Sequence, residues 1–384
     1  MLSLLRTPLY DWHCSQFAQM TEWDGWEMPK QYASVLYEYE TLKNRVGVTD
    51  LSHKGRFVFA GPDAGQFLSS LLSRNIDTLK TGRLQYSLLL NQSGGILDDV
   101  LVGLFQRTDS GLLYYYVITN AANREKDNNL FRKFLAPESA AQYENKTHFS
   151  DETNDQSMIS VQGPHALELL KPLFQTDIAA LSSYSGVETS LSLSGRWAMV
   201  FRTGYLENDR FEIVLESFFV EQFVADLFQQ GLIFGITPVG FAATDIIRQE
   251  SAIPCYGCEL DETVTPYEAG LSHAVHLDGR EFPGSGVLSD LKSKTPEKLR
   301  VFLETDGEFP AVKGNGLFCK RKEIGQITSG IFSPMFQKNI AMGYVPYEFS
   351  QPGQVLNVKI RDKICKARVV PAPQPKPNTP NRPE

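Results

Sequence analysis

Phe57-Val58-Phe59-Ala60-Gly61-Pro62-Asp63-Ala64 and Ile159-Ser160-Val161-Gln162-Gly163-Pro164-His165-Ala166 are one pattern written twice. Each is a β-rich run, a Gly-Pro pair and the start of an apolar helix, over residues 66–72 and 167–174. The proline falls in the helix's first turn, where its missing N–H costs least. Beyond the first copy, strands are expected at residues 86–90, 96–105 and 112–119, then an amphipathic helix at 123–135. Beyond the second, they are expected at 188–193, 198–203 and 210–215, with a helix at 218–230 that Gly231 stops. Strand–helix–strand–strand–helix–strand is the ferredoxin-like order. The duplication therefore predicts an α+β body of two such units, at about 50–147 and 158–240, facing each other. The polar stretch 148–157 connects them.

Residues 1–30 carry scattered aromatics and read as an irregular wrapping segment. A helix is expected at 32–45, with Val35, Leu36, Tyr39 and Leu42 on one face. Gly47-Val48-Thr49-Asp50-Leu51-Ser52-His53 follows as a strand or turn. From about residue 278 the chain alternates short β-rich runs with Gly and Pro, at 300–305, 316–321, 323–329, 339–345, 355–360 and 366–370. This spacing predicts a small β-barrel or sandwich. The expected organisation is a body at 1–277, a C-terminal β-barrel domain at 278–370, and a proline-rich tail at 371–384, disordered or polyproline-like.

The 384-residue chain is too long for one simple core. A formal charge of −8 argues against a general nucleic-acid surface. No apolar run reaches the roughly 18 residues that a membrane span needs, and the first residues turn polar too soon for a secretory signal. Five cysteines, few and odd in number, fit a reducing, cytoplasmic setting.

The acidic pair Asp98-Asp99 follows the turn Asn91-Gln92-Ser93-Gly94-Gly95 and opens an apolar strand. Side chains alternate across a strand, so one carboxylate should face the interior and the other water. A buried carboxylate costs free energy unless it has a partner or a task; the plainer reading is a solvated, turn-capping pair. Asn120 ends the next strand, with Arg124 just beyond, and polar residues at a strand end are plausible ligand contacts. Alternatively Asn120 or Asn123 caps the helix. Cys255-Tyr256-Gly257-Cys258 with His273 and His276 imitates a zinc layout, but the histidines are spaced too tightly for the usual finger. Two buried thiols and two incidental histidines are the preferred reading, with no metal. Ser329-Gly330-Ile331-Phe332-Ser333-Pro334 reads as a compact turn with a buried aromatic. The chain has no P-loop, dinucleotide fingerprint or nucleophile elbow.

In order and spacing, these pieces resemble the glycine cleavage system T-protein and the folate-binding family built on it. Besides Gly94-Gly95-Ile96-Leu97-Asp98-Asp99, the likeness rests on Gly25-Trp26-Glu27-Met28-Pro29, Asp50-Leu51-Ser52-His53, Asn120-Ala121-Ala122-Asn123-Arg124-Glu125-Lys126-Asp127, Val161-Gln162-Gly163-Pro164 and Ser329-Gly330-Ile331-Phe332-Ser333-Pro334. The resemblance implies an aminomethyltransferase with three domains around a central channel. Tetrahydrofolate would stand in the channel, and the aminomethyl-lipoyl arm of a lipoylated H-protein would enter it. The products would be methylenetetrahydrofolate and ammonia. The family's catalytic aspartate, taken as the first after Gly-Gly, maps onto Asp98. Asn120, Tyr86 and Arg248 match the family's residue types at their positions. A monomer is expected.

The chain departs from the family at several folate positions. Thr-Gly-Tyr-Thr-Gly-Glu becomes Thr203-Gly204-Tyr205-Leu206-Glu207-Asn208. The pterin-gripping glutamate is Asn208, with Glu207 beside it, and Tyr205 is kept. The family's Ala-Arg-Asp is Ala243-Thr244-Asp245, its Met after Ser-His is Lys54, and its C-terminal aromatic gives way to the proline tail. The alternative expectation is a diverged member with altered or lost folate binding, non-catalytic or acting on another substrate.

Overall fold

A computed structural model describes residues 4–136, 146–204 and 209–373. Tyr205, Glu207, Asn208 and most of the proline-rich tail lie outside the described residues. Two sheets face each other, each covered on its outer side by helices. The first has five strands in the order Leu84–Leu90, Ile96–Gln106, Leu113–Thr119, Gly55–Ala60, His148–Asp151. Omitting the edge strand Leu84–Leu90, this is the ferredoxin-like arrangement. The second sheet follows the same order through Ser185–Ser190, Trp197–Arg202, Arg210–Glu216 and Gln156–Gln162.

The two halves differ at the next position. Val46–Asp50 precedes the first unit in sequence but pairs with Gln156–Gln162, and the short strand Ile236–Pro238 then pairs in parallel with it. The chain therefore starts in the second sheet, crosses to the first at Gly55, and returns through Thr153–Gln156. Arg56 is fully buried at this crossing. Its guanidinium donates to the carbonyls of Lys54 at 2.7 Å, Ser52 at 3.0 Å and Gln156 at 2.8 Å, and also to that of Thr153.

The Gly-Pro repeat has a common backbone cause. Gly61 and Gly163 lie at φ +111° and +137°, and a Cβ on either would sit 2.0 Å from a carbonyl oxygen, of Lys146 and Arg45 respectively. Only glycine fits both demands. The helices that follow are Ala64–Leu71 and Ala166–Leu170.

Alternation divides the core into layers. Phe57, Phe59, Val100, Val102 and Val117 point outward beneath the helices Ala64–Leu71 and Arg124–Leu135. Val58, Phe105, Tyr116 and Ile118 point inward and meet Met158, Met199, Phe201 and Val214 of the second sheet. The ring centroids of Phe105 and Phe201 are 5.6 Å apart.

The C-terminal barrel closes through Lys298–Thr305, Lys338–Pro346, Lys322–Ser333, Gly316–Cys319, Val355–Ile360 and Lys363–Val370. Closure leaves no free sheet edge. The helix Ser285–Leu291 instead seats Leu288 on Leu88, Leu90 and Ile96 of the first unit.

Some local expectations are corrected. The N-terminal segment is regular, with a helix at Tyr10–Ser15 and a hairpin of Gln19–Trp23 and Trp26–Gln31. The helix after it is Val35–Asn44, N-capped by Ser34; it buries Tyr39 and Leu42 but exposes Leu36. The Ser329–Ser333 stretch is not a turn but the end of a barrel strand, and Phe332 is half exposed.

Candidate functional site

The inter-sheet layer stops short at one end, leaving a cavity of about 280 Å³. Tyr86, Asp99, Leu101, Ile118 and Asn120 come from the first unit, and Gln162, Thr203, Arg210 and Glu212 from the second. Trp23, His53 and Lys54, with Phe241, Thr244, Arg248, Cys255 and Tyr256, complete the lining. Its lining residues all belong to the body, and none to the barrel. The barrel acts from behind: Thr328 and Ser329 donate to buried Glu259 at 2.7 and 2.6 Å, and Glu259 accepts from Arg248 at 3.1 Å.

The acidic pair also needs correction. Asp98 does not reach the cavity. It is in phase with Val100 and Val102, so it points outward under the helix Arg124–Leu135 and is fully buried. Its carboxylate accepts from the Asn120 N–H at 3.0 Å, the Asn120 amide at 2.8 Å and the Asn123 amide at 2.6 Å. Neither asparagine caps the helix with its side chain. Asp99 faces the cavity rather than bulk water. It accepts from the Asn120 amide at 2.8 Å and is hydrogen-bonded to Tyr86. Burial, reinforced by the charge of Asp98, raises its pKa to about 7, against the pull of Lys54.

A third carboxyl stands behind the pair. Asp127 is fully buried, and among the described residues no N–H or O–H donates to it. Burial and the charge of Asp98 lift it well above the usual carboxylate range, and it shares a hydrogen bond with Asp98. Burial raises Asp98 as well, but three amide donors favour its anion. Asp127 is therefore the acid that donates, and Asp98 the base that accepts. Asp127→Asn keeps a donor there and is expected to change stability by less than about 1 kcal/mol, whereas Asp127→Leu is expected to cost about 1–3 kcal/mol. Urea unfolding at neutral pH measures both; equal losses would remove the shared proton.

Of the other expected residues, Tyr86, Asn120 and Arg248 all line the cavity. Arg248 is oriented by Asp245 at 2.7 Å; burial opposes its charge, but Asp245 and Glu259 hold it above its ordinary value. Thr244 lines the cavity where the family carries arginine.

Sequence reasoning missed the aromatic wall. Trp23 and Phe241 stack at 5.2 Å and 14°, and His53 meets Phe241 edge-on at 5.0 Å. Burial holds the His53 imidazole down at about 3, so it is neutral. These three residues are distant in sequence, and no local pattern joins them. Two buried polar atoms on the lining, His53 Nδ1 and Thr203 Oγ1, have no partner among the described residues. Among the described residues no three His, Cys, Asp or Glu side chains gather as a metal site. No helix among them is long and apolar enough to cross a membrane.

The comparisons bear on nearly the whole chain. The family described as GCVT N-terminal domain matches residues 9–279, and the glycine cleavage T-protein C-terminal barrel domain matches 298–374. An aminomethyltransferase of Rippkaea orientalis is 34% identical over 97% of this chain and 98% of its own. One of Rubrobacter xylanophilus is 37% identical over 97% and 94%. The crystal structure of glycine cleavage system aminomethyltransferase T from Bartonella henselae superposes with a TM-score of 0.85, at 28% identity, covering 97% of this chain and 98% of that one. With both domain families matched in order on a body and barrel of this architecture, the chain belongs to the glycine cleavage T-protein family.

Proposed function

We propose that the inter-sheet cavity holds tetrahydrofolate, with Asp99 as the carboxylate that meets the reacting atoms. The chain is a transferase, an aminomethyltransferase of the glycine cleavage type. Tetrahydrofolate, when bound, supplies the nitrogen that takes up the one-carbon unit; the aminomethyl group would arrive on the lipoyl sulfur of an H-protein.

The lining fits such a ligand. Trp23, Phe241 and Tyr86 offer flat apolar surface to a ring. Glu212, buried and paired with Arg210 at 2.9 Å, can accept from an N–H edge. His53 Nδ1 and Thr203 Oγ1 are buried polar atoms with no partner among the described residues, and buried polar groups are normally paired. From the sequence, Tyr205, Glu207 and Asn208 are further candidate contacts, and Arg248, which lines the cavity, is another.

The observation that carries this reading is the setting of Asp99. It is a partly desolvated carboxylate, held by Asn120 and Tyr86, and it is the member of the acidic pair that lines the cavity. Near neutral pH such a group both takes and gives a proton. Asp99 is read as the group that accepts a proton at its carboxylate and balances positive charge as the amine leaves. Asp98, assigned the catalytic role from sequence, becomes a positioning residue that acts through Asn120.

The test is transfer from aminomethylated H-protein to tetrahydrofolate across pH. If the carboxylate form works, kcat/KM rises with pH, with an apparent pKa of about 7, then levels off. A rate flat from pH 5 to 8 would sink this role for Asp99. The same shift governs stability. The folded state holds this proton more tightly than the unfolded chain, whose Asp titrates at about 3.9. Asp99 therefore favours folding below about pH 4, and that contribution is lost as pH rises through about 7.

A further inference from the structure

The Cys255-Tyr256-Gly257-Cys258 turn is unused by the transfer just described. Its two cysteines sit at the ends of one tight turn. The Cys258 N–H donates to the Cys255 carbonyl at 3.1 Å, and Gly257 between them is left-handed at φ +79°. Such a turn keeps its end Cα atoms within about 7 Å, and disulfides span about 4.4–6.8 Å between Cα atoms. Both thiols are free and half-buried, and they lie within hydrogen-bonding reach of each other. Cys255 and Tyr256 line the cavity.

We propose that Cys255 and Cys258 form a reversible dithiol–disulfide site in the cavity wall, oxidised by exchange with a low-molecular-weight disulfide, and that oxidation weakens ligand binding in the cavity. The second half rests on the folate reading; the first does not.

The exchange has an order. The Cys255 S–H donates to Cys258, which lowers the Cys258 thiol below its ordinary value and raises that of Cys255. Cys258 is the attacking thiolate. It attacks one sulfur of the small disulfide, whose S–S bond breaks; one thiolate leaves and takes up a proton. Cys255 then gives its proton to solvent and attacks the Cys258 sulfur. The protein S–S bond forms and the second small thiol departs. The protein dithiol loses two electrons and the small disulfide gains them.

The coupling to the cavity runs through Tyr256. One end of the turn is fixed, because the Cys255 N–H donates to buried Glu259 at 3.0 Å, and Glu259 is tied to Arg248 and the barrel. The Tyr256 carbonyl, 3.3 Å from the Cys255 sulfur, is the alternative acceptor for that one S–H, an option that oxidation removes. Tyr256 holds its place by accepting from Lys126 at 3.0 Å, with the ammonium 4.8 Å from its ring centre. Glu259 directly follows Cys258, so both ends of the turn share this anchor, and closing the sulfurs to about 2.05 Å has to be taken up between them, at Tyr256 and Gly257.

The test equilibrates the full chain in buffers of oxidised and reduced glutathione, followed by alkylation, digestion and mass spectrometry. The expected result is an intramolecular Cys255–Cys258 disulfide that reductant reverses, with Cys14, Cys319 and Cys365 still alkylated. Cys255→Ser is expected to retain glutathione on Cys258. If both thiols stay alkylatable in the most oxidising buffer, the site is refuted. In thiol-free buffer, oxidised wild type is expected to bind tetrahydrofolate at least about fivefold more weakly than reduced wild type, with no such difference in Cys258→Ser. Equal affinities overturn the coupling. If the reduced protein binds no folate, the functional reading fails, while the thiol count still decides the disulfide.

Discussion

Asp99→Asn is expected to lower kcat/KM for aminomethyl transfer by about a hundredfold or more, the usual reach of a lost general acid–base group. The amide matches the carboxylate in size and keeps an oxygen for the Asn120 amide 2.8 Å away. It loses the proton affinity and the charge. Folding should be undisturbed, because the substitution removes a carboxylate beside the buried Asp98. Asp98→Asn behaves differently. It sets an amide against three donors at 2.6–3.0 Å, so N–H meets N–H and the protein is destabilised. It also removes the charge that helps raise Asp99, so the acid limb of the rate profile moves to lower pH. Asp99→Asn loses that limb; Asp98→Asn shifts it. The reverse assignment would return the catalytic role to Asp98.

Arg56→Met is expected to cost more than about 3 kcal/mol of stability, since each buried carbonyl that loses a charged donor costs about 1–3 kcal/mol. Four carbonyls lose their donor at once, those of Ser52, Lys54, Thr153 and Gln156. They belong to the two strands of chain that cross between the sheets, so the loss loosens the joint of the two units. Methionine fills much of the volume, which isolates the hydrogen-bonding loss from a cavity effect. Denaturant unfolding measures it, and a loss under about 1 kcal/mol would contradict the stapling role.

Much of the architecture was written locally. The doubled Gly-Pro signal marks two places where a carbonyl crowds a left-handed residue, a demand that local sequence expresses directly. The six barrel runs were legible for the same reason, each bounded by Gly or Pro. The crossing of Val46–Asp50 into the second sheet was not legible. Val-Gly-Val-Thr-Asp suits either sheet, and only tertiary pairing with Gln156–Gln162 decides.

The orientation of the acidic pair was hidden by a similar degeneracy. Period-two alternation separates Asp98 from Asp99, but both faces of that strand are apolar. Val100 and Val102 pack under helices, while Leu101 and Phe105 face the opposite sheet. The phase therefore cannot be read from hydrophobicity alone. Asn120 supplied the better clue, because a single amide 2.8 Å from both carboxylates sits at the divide between them. The aromatic wall of Trp23, His53 and Phe241 had no such local sign.

The most direct measurement is an equilibrium titration of tetrahydrofolate against intrinsic fluorescence, in the reduced wild type and in Trp23→Phe. Trp23 stacks on Phe241 in the cavity wall, so a ligand seated between the sheets should quench it. Saturable quenching that falls sharply in Trp23→Phe, while calorimetry still detects binding by that variant, is the predicted result. Quenching unchanged by the substitution, or no binding to the wild type, would contradict a folate site between the two sheets.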